Sequence, residues 1–274
     1  MFVTKFDGRR EPFYKSKVLK TCMRMGATYS QAKAVADKVE SKAYDGIPTR
    51  QILSLIFEYM EKYKPSVAHQ IDLREAISLL RPKPDFEKFV GLLLASEGYE
   101  VKNNLILLGK CVDHEIDAIA TKGGETLYVE VKHHFNHHTY TGLDVILQAN
   151  SAFEDLKEGY KLGKHSINFT KALIVCNTKL SEHAKAYAAC RGIECIGWKY
   201  PTDTGLEQMI EKRKLYPITY IKGLDRKMRE KLADAGIITL KQLLEAGIDR
   251  LTAITKVSAK VLGPIVSNAE EILR

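Results

Sequence analysis

Long apolar runs are missing from this 274-residue chain, so a membrane-spanning helix, which needs about 20 consecutive apolar residues, is not expected. The first residues, "MFVTKFDGRREPF", bring in charge at Lys5 and continue with it, so they are not expected to act as a signal peptide. Cysteine is scarce and scattered: Cys22, Cys111, Cys176, Cys190 and Cys195 are odd in number and form no CxxC pair. That argues against a disulfide framework or a zinc ribbon and for reduced thiols in a cytoplasmic protein. Acidic residues are outnumbered, 34 against 42 Lys and Arg, for a net charge of +8 and a pI near 9.1. Such a balance favours an acidic partner such as nucleic acid. The length allows two domains or three small ones, and a 45% hydrophobic content suffices for buried cores.

Two proline-marked breaks divide the chain, "RPKPD" at Arg81 to Asp85 and "KLYPIT" at Lys214 to Thr219. The first segment, residues 1–82, opens with a predicted hairpin whose turn is Asp7-Gly8. Helices follow, with Ser30 and Thr49 as expected N-caps. The second, 85–215, is predicted to start with a helix capped by Asp85. A strand meander and then alternating helices and strands come next, which is the order of an α/β core with a mixed sheet. The third, 218–274, is predicted to be all-α, with Gly223, Gly236, Gly247 and Gly263 near helix ends.

The densest chemistry is in "LYVEVKHHFNHHTY", Leu127 to Tyr140. On a strand, side chains at i and i+2 share a face, so Glu130 and Lys132 project together while Val131 turns to the other side. If this strand pairs with "EIDAIAT" across "KGGET", Asp117 comes close to Glu130. Two hard carboxylates suit Mg²⁺, which keeps several of its waters. A metal so held can activate water and stabilise charge on a phosphodiester, and a lysine beside it can orient that water. Acid-x-lysine is also ordinary on a solvated sheet face, and spacing does not separate the two readings. His133, His134, His137 and His138 offer i, i+4 pairs, but they sit in a predicted loop with no cysteine near. A solvated loop beside the site, with some imidazoles meeting DNA phosphate, is expected rather than a zinc centre.

This second segment resembles the PD-(D/E)xK nuclease superfamily, in particular Mrr-type restriction endonucleases and archaeal Holliday-junction resolvases. The likeness rests on "FEKFVGLLLASEGYEV", "IDAIA", "YVEVK", "ALIVCN" and "GIECIGW", in that order. It implies Asp117 and Glu130 as ligands of Mg²⁺ or Mn²⁺, Lys132 as the catalytic lysine and Glu87 as a further acidic member. Ile116 stands where some members have proline. Gln148 falls where some place a helical glutamine, but Ala152 replaces the tyrosine of the QxxxY form.

In the first segment, V-x-K-x-D-G-R-x-E-x-F spans Val3 to Phe13 and is followed by further cations. It is either a basic hairpin that meets DNA or a site for clustered phosphates. The pattern resembles the ATP-cone, a regulatory domain that binds ATP or dATP. The likeness implies contacts from Lys5, Arg9, Glu11, Lys17 and Thr49, with Arg81 or Lys83 as a late cation. Phe6 stands where many members have arginine. No Walker A motif is present, so binding rather than hydrolysis is implied.

The third segment resembles two helix-hairpin-helix units, whose hairpins offer backbone N–H groups to DNA phosphate. Ile221-Lys222-Gly223-Leu224 fits the first hairpin, and Lys256 replaces the glycine of the second. A helical protein-binding bundle is the other reading. The expectation as a whole is a multidomain α/β protein: an ATP-cone, a restriction endonuclease-like α/β/α domain and an all-α helix-hairpin-helix end. Together these imply a nucleotide-regulated, metal-dependent DNA endonuclease, with duplex cleavage favouring a homodimer. A nucleotide-sensing DNA-binding regulator that does not cut is the alternative.

Overall fold

A computed structural model describes residues 1–274. The chain opens with β1 (Phe2–Thr4) and β2 (Arg10–Pro12), antiparallel across a turn in which Gly8 has φ 81°. Then come α1 (Lys15–Arg24), α2 (Tyr29–Lys42), the short strand β3 (Ile47–Pro48) and α3 (Thr49–Met60). β3 lies parallel to β1 and so extends the predicted hairpin to three strands. Because Ile47 and Pro48 are held extended, α3 starts at Thr49, and Pro48 rather than Thr49 occupies its N-cap. The cap of α2 is Thr28, not Ser30. Thr28 and Gln31 exchange side-chain and backbone hydrogen bonds of 3.3 and 2.9 Å as a capping box. Val18, Cys22, Val35, Val39, Ile47 and Met60 lie in the separate core of this unit.

α4 (Leu73–Ser78) leads to the proline-rich turn Pro82–Phe86 and α5 (Glu87–Ser96). Asp85 does not cap α5; its carboxylate accepts two hydrogen bonds from Arg81, at 2.7 and 2.9 Å. The sheet is then laid down by β4 (Glu100–Leu108), β5 (Asp113–Lys122) and β6 (Glu125–Lys132) as an antiparallel meander. β7 (Tyr140–Thr141) and α6 (Leu143–Lys161) precede β8 (Lys171–Cys176), which joins β6 in parallel. β9 (Lys179–Leu180), α7 (Glu182–Arg191), β10 (Glu194–Ile196) and α8 (Leu206–Arg213) complete the unit. The five-stranded order is β10-β8-β6-β5-β4, and β7 and β9 form a small pair of their own. One face carries α5, through Phe86, Phe89, Val90 and Leu93. The other carries α6 and α7, through Ile146, Ala149, Phe153 and Ala184. The mixed α/β/α sandwich follows from parallel strands needing cover on both faces.

α9 (Arg226–Asp234), α10 (Leu240–Thr255) and α11 (Ala259–Leu273) end the chain. Gly247, at φ 71°, breaks α10. Their apolar faces join the α5-side core, which runs from Leu73, Ile77 and Leu80 through Phe86 to Leu232, Leu251 and Leu262. α4 thus packs with the sheet rather than with the first unit. Backbone bonds from Ile71 N–H to Tyr220 and from Lys222 N–H to His69 tie the last segment to the end of the first.

Candidate active site

Regular alternation along β5 slips at Asp117. Ile116 and Ile119 enter the α6-side core while Ala118 and Ala120 enter the α5-side core. In β4 the neighbouring Asn104 is forced to φ 56°. The β5–β6 ladder runs to Ala118 opposite Val129, and beyond it the Asp117 carboxylate takes over, its Oδ2 accepting the Val131 N–H at 2.7 Å. A side chain that captures a ladder N–H is thereby fixed at the strand edge, and Asp117 is only 5% exposed.

Glu130 faces the α6 side beside Tyr128, whose hydroxyl donates to its Oε2 at 2.9 Å. Burial, then the charge of Asp117, pushes the Glu130 carboxyl above its usual range, with Tyr128 and Lys132 opposing. Burial also raises the Tyr128 phenol, which therefore stays a neutral donor. Lys132 is half-buried, shares this face and forms no ion pair.

Glu87 begins α5 and is 2% exposed. Burial and the negative charge of Asp117 push its carboxyl up to about 7, against the pull of Lys83. Asn103 ties this helix to β5, its Nδ2 donating to the Asp117 carbonyl at 3.3 Å. Gly91 makes that approach feasible, since a Cβ there would stand 2.8 Å from Asn103 Oδ1. The ammonium of Lys83 lies 3.2 Å from Glu87 Oε1, 3.2 Å from Asp117 Oδ1 and 2.9 Å from Glu115 Oε1. It is poorly aligned with Glu87, whose buried Oε1 has no hydrogen-bond partner. No three acidic, histidine or cysteine side chains converge as a ready-made metal-binding group. The donor chemistry nonetheless suits a hard divalent cation: buried carboxylate oxygens, one of them unpartnered, already clustered around a positive charge.

Sequence reasoning missed three members of this cluster. Tyr128 stands two residues before Glu130 on β6, so the strand period carried a signal for it, whereas the slip at Asp117 hides Glu115 from that period. Lys83, expected at the nucleotide site, had none, and the correction arises from the fold of the proline-rich turn. Arg81 is likewise not free for a nucleotide: it pairs with Asp85 and with Asp234 of the last unit. Gln148 is exposed on α6 and makes no hydrogen bond to the acidic cluster.

In the first unit the structure brings Lys5, Glu11 and Lys17 together, the two ammonium groups 3.2 and 3.5 Å from Glu11 Oε2. Arg9 turns back to Asp7 at the hairpin tip, and Thr49 opens α3. Phe6, from the same tip, stacks on His138 with ring centres 4.3 Å apart and planes 9° from parallel. The histidine loop that follows Lys132 is therefore an interdomain contact. His133 bonds the Ile77 carbonyl at 3.1 Å, and His137 lies 3.2 Å from Ser78 Oγ.

Burial lowers the pKa of all four loop imidazoles, that of His137 to about 4. An unfolded histidine titrates near 6.5. Between those values the unfolded chain binds more protons, so stability is complete above about pH 6.5 and is lost as pH falls towards 4. Melting in matched buffers should show Tm falling between about pH 7 and pH 5, and His137→Gln should flatten that slope. An equal slope in the variant would place the acid sensitivity elsewhere.

In the last unit, Gly223 has φ 80°, and Lys222 and Gly223 are exposed while Leu224 is buried. The Lys222 N–H is already engaged by His69, so only the N–H groups of Gly223 and Leu224 remain for a ligand at this hairpin. Lys256 adopts the left-handed conformation at φ 58° and spends its N–H on Thr252. Only its ammonium is left to meet an anion.

Family comparisons find three domains in the expected order. Residues 1–75 match the ATP cone domain, 81–197 the restriction endonuclease domain of Mrr catalytic type, and 216–273 the AF1548-like C-terminal domain. An uncharacterized protein of Archaeoglobus fulgidus is 37% identical over 181 residues, 66% of this chain and 98% of its own length. The crystal structure of a protein of unknown function, AF1548, is similar with a TM-score of 0.59 and 36% identity. It covers 68% of this chain and 96% of that one.

Proposed function

From an Mrr-type restriction endonuclease domain set between an ATP cone and an AF1548-like domain, in a chain that belongs to the same family as the uncharacterized Archaeoglobus fulgidus protein, we propose a divalent-metal-dependent DNA endonuclease under nucleotide control. One observation carries the reading. Asp117 and Glu130 lie where the ladder between the inner strands β5 and β6 ends, near enough for the charge of Asp117 to raise the Glu130 carboxyl, and Lys132 follows on the Glu130 face, half-buried and in no ion pair.

Asp117, Glu130 and Glu87 would hold Mg²⁺ or Mn²⁺. When bound, the ion supplies Lewis acidity towards a phosphodiester and eases deprotonation of water. Tyr128 keeps Glu130 oriented by its hydrogen bond. Lys132 orients the attacking water and stabilises charge developing on the phosphate. DNA is held by its backbone: Gly223 and Leu224 offer N–H groups and Lys222 and Lys256 offer charge, so binding is salt-sensitive and independent of sequence. ATP or dATP is held by Lys5, Glu11 and Lys17, with Arg9 and Thr49 adjoining. The units responsible are those bounded in the sequence at 1–82, 85–215 and 218–274, although α4 of the first stretch packs on the nuclease core.

A metal-dependent cut of supercoiled plasmid, flap or four-way junction by the intact chain tests the enzyme reading. Binding without cutting on all three would leave the nucleotide-sensing regulator, a reading that Lys83 among the carboxylates favours. For the nucleotide, calorimetry with the intact chain should show ATP or dATP binding that Lys5→Ala and Lys17→Ala each weaken on the order of tenfold. No heat of binding from either nucleotide removes that half of the proposal.

A further inference from the structure

We infer that Lys83 is a built-in competitor for the metal: its ammonium occupies the place a divalent cation takes, and it must swing out for the ion to enter. The inference rests on the metal-site reading above. Its geometry is specific. Asp117 has one carboxylate oxygen engaged by the Val131 N–H, and the other, Oδ1, is the atom Lys83 approaches at 3.2 Å. The same ammonium stands 3.2 Å from the unpartnered, buried Oε1 of Glu87. Both oxygens best suited to a cation are thus covered by one side chain.

That side chain is free to leave. It is 55% exposed, and its third contact, Glu115 at 2.9 Å, is itself 59% exposed. Rotation towards Glu115 would keep one ion pair while uncovering Asp117 and Glu87.

Its position in the chain gives the competition a consequence. Lys83 lies between Pro82 and Pro84 on the connector that leaves α4 and enters α5. Two residues earlier, Arg81 grips Asp85 and Asp234. The connector between α4 and α5, both packed on the sheet, therefore delivers the competing charge.

The test is Mn²⁺ binding by the intact chain, followed by the paramagnetic resonance signal of free Mn²⁺, with no DNA present. Lys83→Ala should bind Mn²⁺ more tightly, on the order of tenfold, whereas Lys88→Ala, an exposed lysine on α5, should match the parent. Lys83→Gln, which keeps length without charge, should behave as Lys83→Ala and serves if the alanine variant melts early. Equal or weaker Mn²⁺ binding by both Lys83 variants overturns the inference, a loss meaning that the lysine organises the acids instead. If binding is still lost in Asp117→Asn, the metal reading survives that outcome. Failure of every variant to bind Mn²⁺ removes both.

Discussion

Nicking of supercoiled plasmid should fall about a thousandfold or more in Glu130→Ala and in Lys132→Ala, while both variants keep the parent's melting temperature within a few degrees. The two losses have different origins, which can be separated. Glu130 is buried enough for its carboxyl to be raised, so its removal takes away an oxygen donor and relieves Asp117 of a nearby negative charge. Mn²⁺ affinity should therefore change in Glu130→Ala. Lys132 touches no carboxylate, so Lys132→Ala should bind DNA and Mn²⁺ nearly as before and lose turnover alone. A Lys132→Ala variant that nicks at the parental rate would show that the chemistry lies with another group.

Phe86→Ala should cost about 3–5 kcal/mol of stability, read as a drop in denaturant midpoint and in Tm. Phe86 is 0% exposed, stacks near Phe89 with centres 6.4 Å apart, and meets the His133 ring at 5.0 Å. It therefore joins the start of α5, where Glu87 is mounted, to the loop leaving β6. The cavity would open against Leu73-to-Leu262 core packing shared by the last unit, so one cooperative transition should move for both. Two separated transitions would mean that the shared core is weaker than its extent suggests. Phe86→Leu, closer in volume, should recover most of the loss.

Much of this architecture is legible in the sequence because its signals are local. The alternation of residues in "YVEVK" places Glu130 and Lys132 on one face, and the order of helices and strands predicts the sandwich. Thr28-x-x-Gln31 is an equally local signal, a capping box that competes with Ser30 and wins. What stays hidden depends on contacts between segments far apart in sequence. The approach of Lys83 to Glu115 and Asp117 is set by how the proline-rich turn folds over β5, and no spacing rule reports that. The membership of α4 in the sheet's core, and the stacking of Phe6 on His138, have the same origin. In the sequence, Phe6 reads only as an arginine missing from a nucleotide site. In the fold, its ring is what the hairpin tip lays against the loop after Lys132.

The bond from Val131 to Asp117 bears on which ion this edge prefers. A carboxylate with one oxygen oriented and partly satisfied by the backbone offers a newcomer its other oxygen first, and a two-oxygen clasp would compete with the bond from Val131. Calcium commonly asks for such clasps and for a crowded shell, whereas magnesium is content with one oxygen from each acid and water for the remainder. Discrimination between the two ions would then be written into the main chain, at the point where a sheet stops pairing with itself.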